Sequence, residues 1–178
     1  MAQTFPMDLQ DRIIKHLNLK ELPDEGGLFV QSYCSQEQVA GEALPARFCN
    51  AHPLGTAIYY LLTNRPKRFS AMHRLIGDEI YHFYLGDPVE MLLLYPDGSA
   101  RTIILGPDLL NGQQVQFVVP AGIWQGSQLL PGGDFALLGT TMAPGYLPAD
   151  VIFGNRDELT KKYPAQKERI TILTQQNQ

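Results

Sequence analysis

The stretch Ser70-Ala-Met-His-Arg-Leu-Ile-Gly-Asp-Glu-Ile-Tyr-His-Phe-Tyr-Leu-Gly86 decides how this chain folds. It reads as two strands, Phe69 to Leu75 and Glu79 to Leu85, separated by the turn residues Gly77-Asp78. Side chains alternate along a strand. Glu79, Tyr81 and Phe83 therefore share one face of the second strand, and Ile80, His82 and Tyr84 share the other. In the first strand Ala71, His73 and Leu75 share a face, opposite Ser70, Met72 and Arg74. The turn at Ile76-Gly77-Asp78 is expected to bring His73 near Glu79 within one cavity. A buried polar group costs free energy unless it is paired, so such residues in an otherwise apolar pattern need a reason.

Outward from that stretch the pattern repeats. Strands are predicted over Leu28 to Ser35, Ala57 to Thr63, Val89 to Tyr95, Ala100 to Leu105, Val115 to Val119, Trp124 to Leu130 and Phe135 to Met142. Turn residues punctuate them at Glu25-Gly26-Gly27, Gly86-Asp87-Pro88, Pro96-Asp97-Gly98 and Pro131-Gly132-Gly133. Many short strands at this spacing predict an all-β sandwich or barrel. Helices are expected at the two ends only. One spans about residues 8–19 with Asp8 as its N-cap. The other is a tail over about 155–174, broken at Pro164 and read as a charged, solvated surface. Gln36 to Cys49 reads as a loop. Met91 to Leu94 is more apolar than a one-sided strand needs, so another layer or a partner chain is expected over it.

The bulk numbers narrow the class. At 178 residues, 44% hydrophobic and 18% charged, one domain over 1–178 is expected, with its core at about 25–153. A formal net charge of −4 speaks against nucleic acid or an anionic membrane as partner. No apolar run is long enough to span a bilayer. Met1-Ala-Gln-Thr-Phe-Pro lacks the features of a secretory signal, and Cys34 and Cys49 are the only cysteines. The expectation is a cytoplasmic protein with reduced thiols.

A second cluster, Val118-Val119-Pro120-Ala121-Gly122-Ile123-Trp124-Gln125, is a rigid turn launching a strand that directs Gln125 and Ser127 to one face. The two clusters together resemble the cupin superfamily. Its first motif ends in Glu, six residues, Gly, which Glu79 and Gly86 match; His73 falls at its first histidine. Pro120 and Gly122 match the Pro-x-Gly of its second motif. The departures are Lys67 at the leading glycine, Leu75 at the second histidine, Gln125 at the third and Leu129 at the closing asparagine.

More narrowly, the chain is similar to a branch of small cupins described as of unknown function. It shares Glu25-Gly26-Gly27, Ala57 to Leu62, Ser70 with His73, Asp78 to Tyr84, Val119 to Gln125 and Ala143-Pro144-Gly145. The resemblance implies a double-stranded β-helix, a jelly-roll barrel, assembled as a homodimer. It also implies a metal held by three histidines and a glutamate. Two of those four positions carry Leu75 and Gln125, so no metal and no cofactor is expected. The donors that remain for one are His73, Glu79 and Gln125.

The candidate site is therefore polar and metal-free. His73, Glu79 and Tyr81 are its expected catalytic residues. Gln125, Gln31, Tyr33, Ser127 and Arg47 are its expected ligand-binding residues, Gln31 and Tyr33 as a pocket wall and Arg47 as a clamp for an anion. The expected partner is a small polar metabolite, sugar-like or a carboxylate. By analogy with nucleotide-sugar epimerases of the superfamily, His73 would be a base oriented by Glu79, with Tyr81 as acid. The alternative is a non-catalytic binding module, and a third reading is a metal-dependent cupin enzyme. His82 is expected to face away from the site, and Asp78 to serve its turn.

Overall fold

The structure, a computed structural model, describes residues 8–65 and 69–174. The Met1 to Pro6 segment and Lys67 lie outside the described residues. The elements in chain order are α1 (Leu9–Leu17), β1 (Lys20–Glu21), β2 (Leu28–Cys34), β3 (Gln38–Val39), β4 (His52–Pro53), β5 (Thr56–Thr63), β6 (Phe69–Leu75), β7 (Glu79–Gly86), β8 (Val89–Leu94), β9 (Ala100–Leu105), β10 (Gln116–Val119), β11 (Trp124–Leu129), β12 (Phe135–Met142), β13 (Val151–Phe153), α2 (Arg156–Lys162) and α3 (Lys167–Ile172). The long strands fall within a residue or two of their predicted ends. The additions are β1, β4 and β13, together with β3 inside the predicted loop.

A six-stranded sheet, β1-β2-β5-β12-β7-β10, faces a five-stranded sheet, β13-β6-β11-β8-β9. From β5 to β8 each successive strand changes sheet, as in a jelly roll. His73 and Glu79, close in sequence, thus stand on opposite walls. Tyr60, Tyr81, Phe83, Met91, Leu93 and Leu138 fill the space between the walls.

Helices pack on part of each outer face. Ile13, Ile14 and Leu17 of α1 pack on Leu61 and Leu137. Asp8 caps α1 by accepting from the Asp11 amide at 2.8 Å. The tail is not merely a solvated surface. Leu159, Tyr163, Ile170 and Leu173 are buried against Met72, Leu92 and Leu94. The doubly apolar Met91–Leu94 run is thereby explained within the chain. Met91 and Leu93 enter the core, while Leu92 and Leu94 meet the helices.

Two irregularities reset the faces. Gln125 pairs with His73 and Ser127 with Ser70, so β6 spends three residues where β11 spends two. This bulge places Ser70 and His73 on the same inner face, against strict alternation. A second bulge pairs Gln31 with Ile58 and Tyr33 with Ala57, so Gln31 and Tyr33 occupy opposite faces of β2.

Candidate functional site

Strands from both sheets converge on one buried cluster. His73 on β6 and Gln125 on β11 are registered partners, and Glu79 opens β7 on the facing wall. His73 is 2% exposed and Gln125 1%. His73 Nε2 stands 3.9 Å from Glu79 Oε2, and Gln125 Nε2 donates to that same oxygen at 2.7 Å. The amide orientation is dictated, because the reverse would set its oxygen against a carboxylate. His73 Nδ1 lies 2.7 Å from the Ala71 carbonyl oxygen, which can only accept, so this nitrogen carries a proton.

A second carboxylate completes the cluster. Glu25, in the β1–β2 turn, accepts from Ser70 Oγ at 2.7 Å, and its backbone oxygen accepts from the Ala71 amide at 2.8 Å. The turn is possible because Gly26 and Gly27 have φ of 100° and 68°. At Gly27 a Cβ would come within 2.6 Å of the Tyr60 hydroxyl, which donates to the Gly26 oxygen at 3.0 Å. The Glu25-Gly26-Gly27 sequence signals a turn, and the glycines make one. Nothing local in the sequence shows that this turn carries Glu25 to β6.

The electrostatics follow from this crowding. Burial works against the charged imidazole, but the Glu25 and Glu79 carboxylates outweigh it and raise the His73 pKa to about 9. At neutral pH the ring is therefore the proton-carrying form, the reverse of the base expected from sequence. Burial, opposed by the nearby imidazole, pushes the Glu25 carboxyl up. Tyr60 and Tyr81 are held well above the ordinary phenol value, by burial first and then by Glu25 and Glu79.

Two atoms in this cluster are buried without a hydrogen-bond partner: Gln125 Oε1 and Ser127 Oγ. An unsatisfied buried polar group costs about 1–3 kcal/mol.

Of the other residues singled out in the sequence, Ser127 lies on the same inner face as Gln125, and Tyr81 is buried among the core aromatics. Gln31 and Tyr33 are exposed and do not wall the cluster; Tyr33 is 56% exposed and turned outward by the bulge. Arg47 is exposed, donates from Nε to the Ile76 oxygen at 2.7 Å and packs over Phe48. It lines a surface depression of about 270 Å³ with Arg74, Leu75, Ile76 and Gly122, so it is no clamp inside the barrel. His82 faces away, with Nε2 3.0 Å from Thr141 Oγ1, and Asp78 accepts from the Ala121 amide at 2.8 Å.

The residues present do not fit a cupin metal. Leu75 offers no donor, and Gln125 turns its NH₂ toward Glu79. Among the described residues no three His, Cys, Asp or Glu side chains converge as metal ligands do.

The two facing sheets and the polar point between them define a jelly-roll barrel. Residues 11–154 match the family described as Cupin superfamily (DUF985), and the chain belongs to it. Over 94 residues it is 35% identical to the uncharacterized protein YML079W of Saccharomyces cerevisiae, matching 51% of this chain and 46% of that protein. The chain thus spans about half the length of the curated relative it matches. Protein SO0799 of Shewanella oneidensis superposes with a TM-score of 0.82 at 30% identity, over 96% of this chain and 100% of that one. A hypothetical protein from Leishmania major gives 0.83 at 24% identity, over 95% and 100%, a likeness of fold. No helix among the described residues is long and apolar enough to cross a membrane.

Proposed function

We propose that this chain binds a small polar metabolite between the two sheets and moves a proton on it without a metal, as an epimerase or isomerase does. The observation that carries the reading is the pair of unpartnered buried atoms, Gln125 Oε1 and Ser127 Oγ, beside His73 and two carboxylates. Convergent polar groups in a barrel are what a ligand site requires.

In this reading His73 directs its proton at a carbonyl oxygen, and Glu79 takes the proton from the adjacent carbon. Tyr81 returns a proton to that carbon and is itself reprotonated from Glu79, so the site ends as it began. The protein works in the cytoplasm as a homodimer. Exposed Tyr84 and Val118 on the outer face of the six-stranded sheet support a partner copy there.

The test is a thermal-shift screen of polar metabolites, followed by incubation of any binder in deuterated water. A binder should exchange a carbon-bound proton, and His73→Ala should abolish exchange. Binding without exchange leaves a binding module and removes the catalytic half; no binder at all removes both.

A further inference from the structure

We infer that the site selects a neutral, hydroxyl-rich carbonyl compound and rejects carboxylates. This rests on the binding reading above and adds the chemical class. The argument is an inventory of which hydrogen-bonding atoms are already used.

The donors are largely consumed within the cluster. Gln125 Nε2 serves Glu79, His73 Nδ1 serves the Ala71 oxygen, Ser70 Oγ serves Glu25 and the Tyr60 hydroxyl serves the Gly26 oxygen. The Tyr81 hydroxyl is hydrogen-bonded to Glu79, and two donor directions are left, the Ser127 hydroxyl and His73 Nε2, whose nearest carboxylate oxygen stands at 3.9 Å. That distance is longer than a hydrogen bond, and the Nε2 proton suits one carbonyl oxygen.

The two unpartnered atoms are an amide oxygen and a hydroxyl. Gln125 Oε1 can only accept, and its orientation is fixed by the bond from its own NH₂. A ligand must offer it an O–H or N–H, which a carboxylate lacks. Ser127 Oγ, also unpartnered, lies two residues further along β11. Residues i and i+2 of a strand are about 6.6 Å apart on one face, so the two atoms suit hydroxyls on different carbons.

Charge points the same way. Glu25 and Glu79 face a single histidine, and among the described residues no arginine enters the cluster: Arg47 is anchored on Ile76, and Arg74 lies over the Trp124 ring. A ligand carboxylate would meet two carboxyl groups, with no guanidinium among the described residues to clamp it.

Calorimetric titration distinguishes the classes, using neutral hexoses and ketoses, the aldonic and uronic acids of the same skeletons, and the matching amino sugars. The expected result is that a neutral sugar binds at least about 10-fold tighter than its acid, because like-charge juxtaposition is costly. Ser127→Ala, a small change, should weaken the sugar several-fold. An acid or an amino sugar binding as tightly as the neutral compound overturns the inference while leaving the binding site standing. So does a sugar whose affinity ignores Ser127→Ala. Failure of all three classes to bind overturns the inference, and the wider metabolite screen then decides the binding reading.

Discussion

Gln125 joins the two walls of the barrel to each other: its NH₂ donates at 2.7 Å to Glu79 Oε2, from the five-stranded sheet to the six-stranded one. Where a metal-binding cupin has a histidine, this chain has a cross-sheet hydrogen bond. Replacing Gln125 by Glu would set two carboxylates against each other in the core. Denaturant unfolding should show a loss of about 3–5 kcal/mol, the usual penalty for an uncompensated buried charge. A neutral effect would mean that the bond does not hold the walls.

The same substitution pattern makes the metal claim testable by restoration. Leu75 shares the inner face of β6 with His73. The double variant Leu75→His with Gln125→His rebuilds the donor set and should retain about one divalent transition metal per chain. The unaltered chain, purified without chelator or nickel, should retain almost none by elemental analysis. Stoichiometric metal in the unaltered chain would contradict the donor-set argument.

Stability should fall with rising pH across the His73 transition. Its folded pKa, about 9, is above the ordinary 6.5. The stabilisation is therefore complete below about pH 6.5 and lost as pH climbs through about 9. The titratable groups that act on the ring are Glu25 and Glu79. Melting temperature should decline through this window in the unaltered chain and stay nearly flat in His73→Asn. A rising curve would require a neutral ring.

Gly27→Ala addresses the turn that carries Glu25. The new Cβ would strike the Tyr60 hydroxyl and adopt a strained φ of 68°. A loss of about 1–3 kcal/mol is expected, with Glu25 displaced from Ser70. Ser70→Ala should cost less, about 1 kcal/mol, because it removes only one hydrogen bond. Thermal unfolding of the two variants would check this order.

A separate buried pair ties the long β3–β4 region to the segment before β13. His52 Nε2 lies 3.1 Å from Asp150 Oδ1, and His52 Nδ1 lies 2.8 Å from the Asn50 oxygen. Asp150 also accepts from the Leu147 amide at 2.7 Å. His52→Ala should cost about 2–4 kcal/mol and increase proteolysis within 36–50, since breaking one half of a buried pair strands the other. Proteolysis confined to other loops would show that the pair does not secure this one.

How much of this was legible in the sequence depends on range. The long strands were readable because turn residues such as Pro96-Asp97-Gly98 bracket alternating runs. Asp97 Oδ1 does accept from the Ser99 amide at 2.9 Å, and Gly98 has a φ of 89°. Strands of two or three residues, such as β1 and β13, carry no period and exist only through their partners. His73, Glu79 and Gln125 were identified as one site because motif spacing encodes their positions.

Ser70 and Tyr33 were assigned to the wrong faces because a bulge has no signature in alternation. Glu25 was missed because its role arises from a turn that contacts a strand 45 residues away. The tail reads as surface in sequence because its apolar residues, Leu159, Tyr163, Ile170 and Leu173, are spread through charged neighbours. Only the two-sided strand Met91–Leu94 hinted that something must cover it.

The central claim is that a metal-free cluster around a charged His73 is where ligand binds. Side-chain ¹⁵N resonances of His73 measure this directly, in chelator-treated protein at neutral pH with and without a neutral sugar that stabilises the fold. The account predicts two protonated ring nitrogens and a shift of the Nε2 resonance on binding. A ring with one bare nitrogen, or resonances unmoved by a ligand that demonstrably binds, would contradict it.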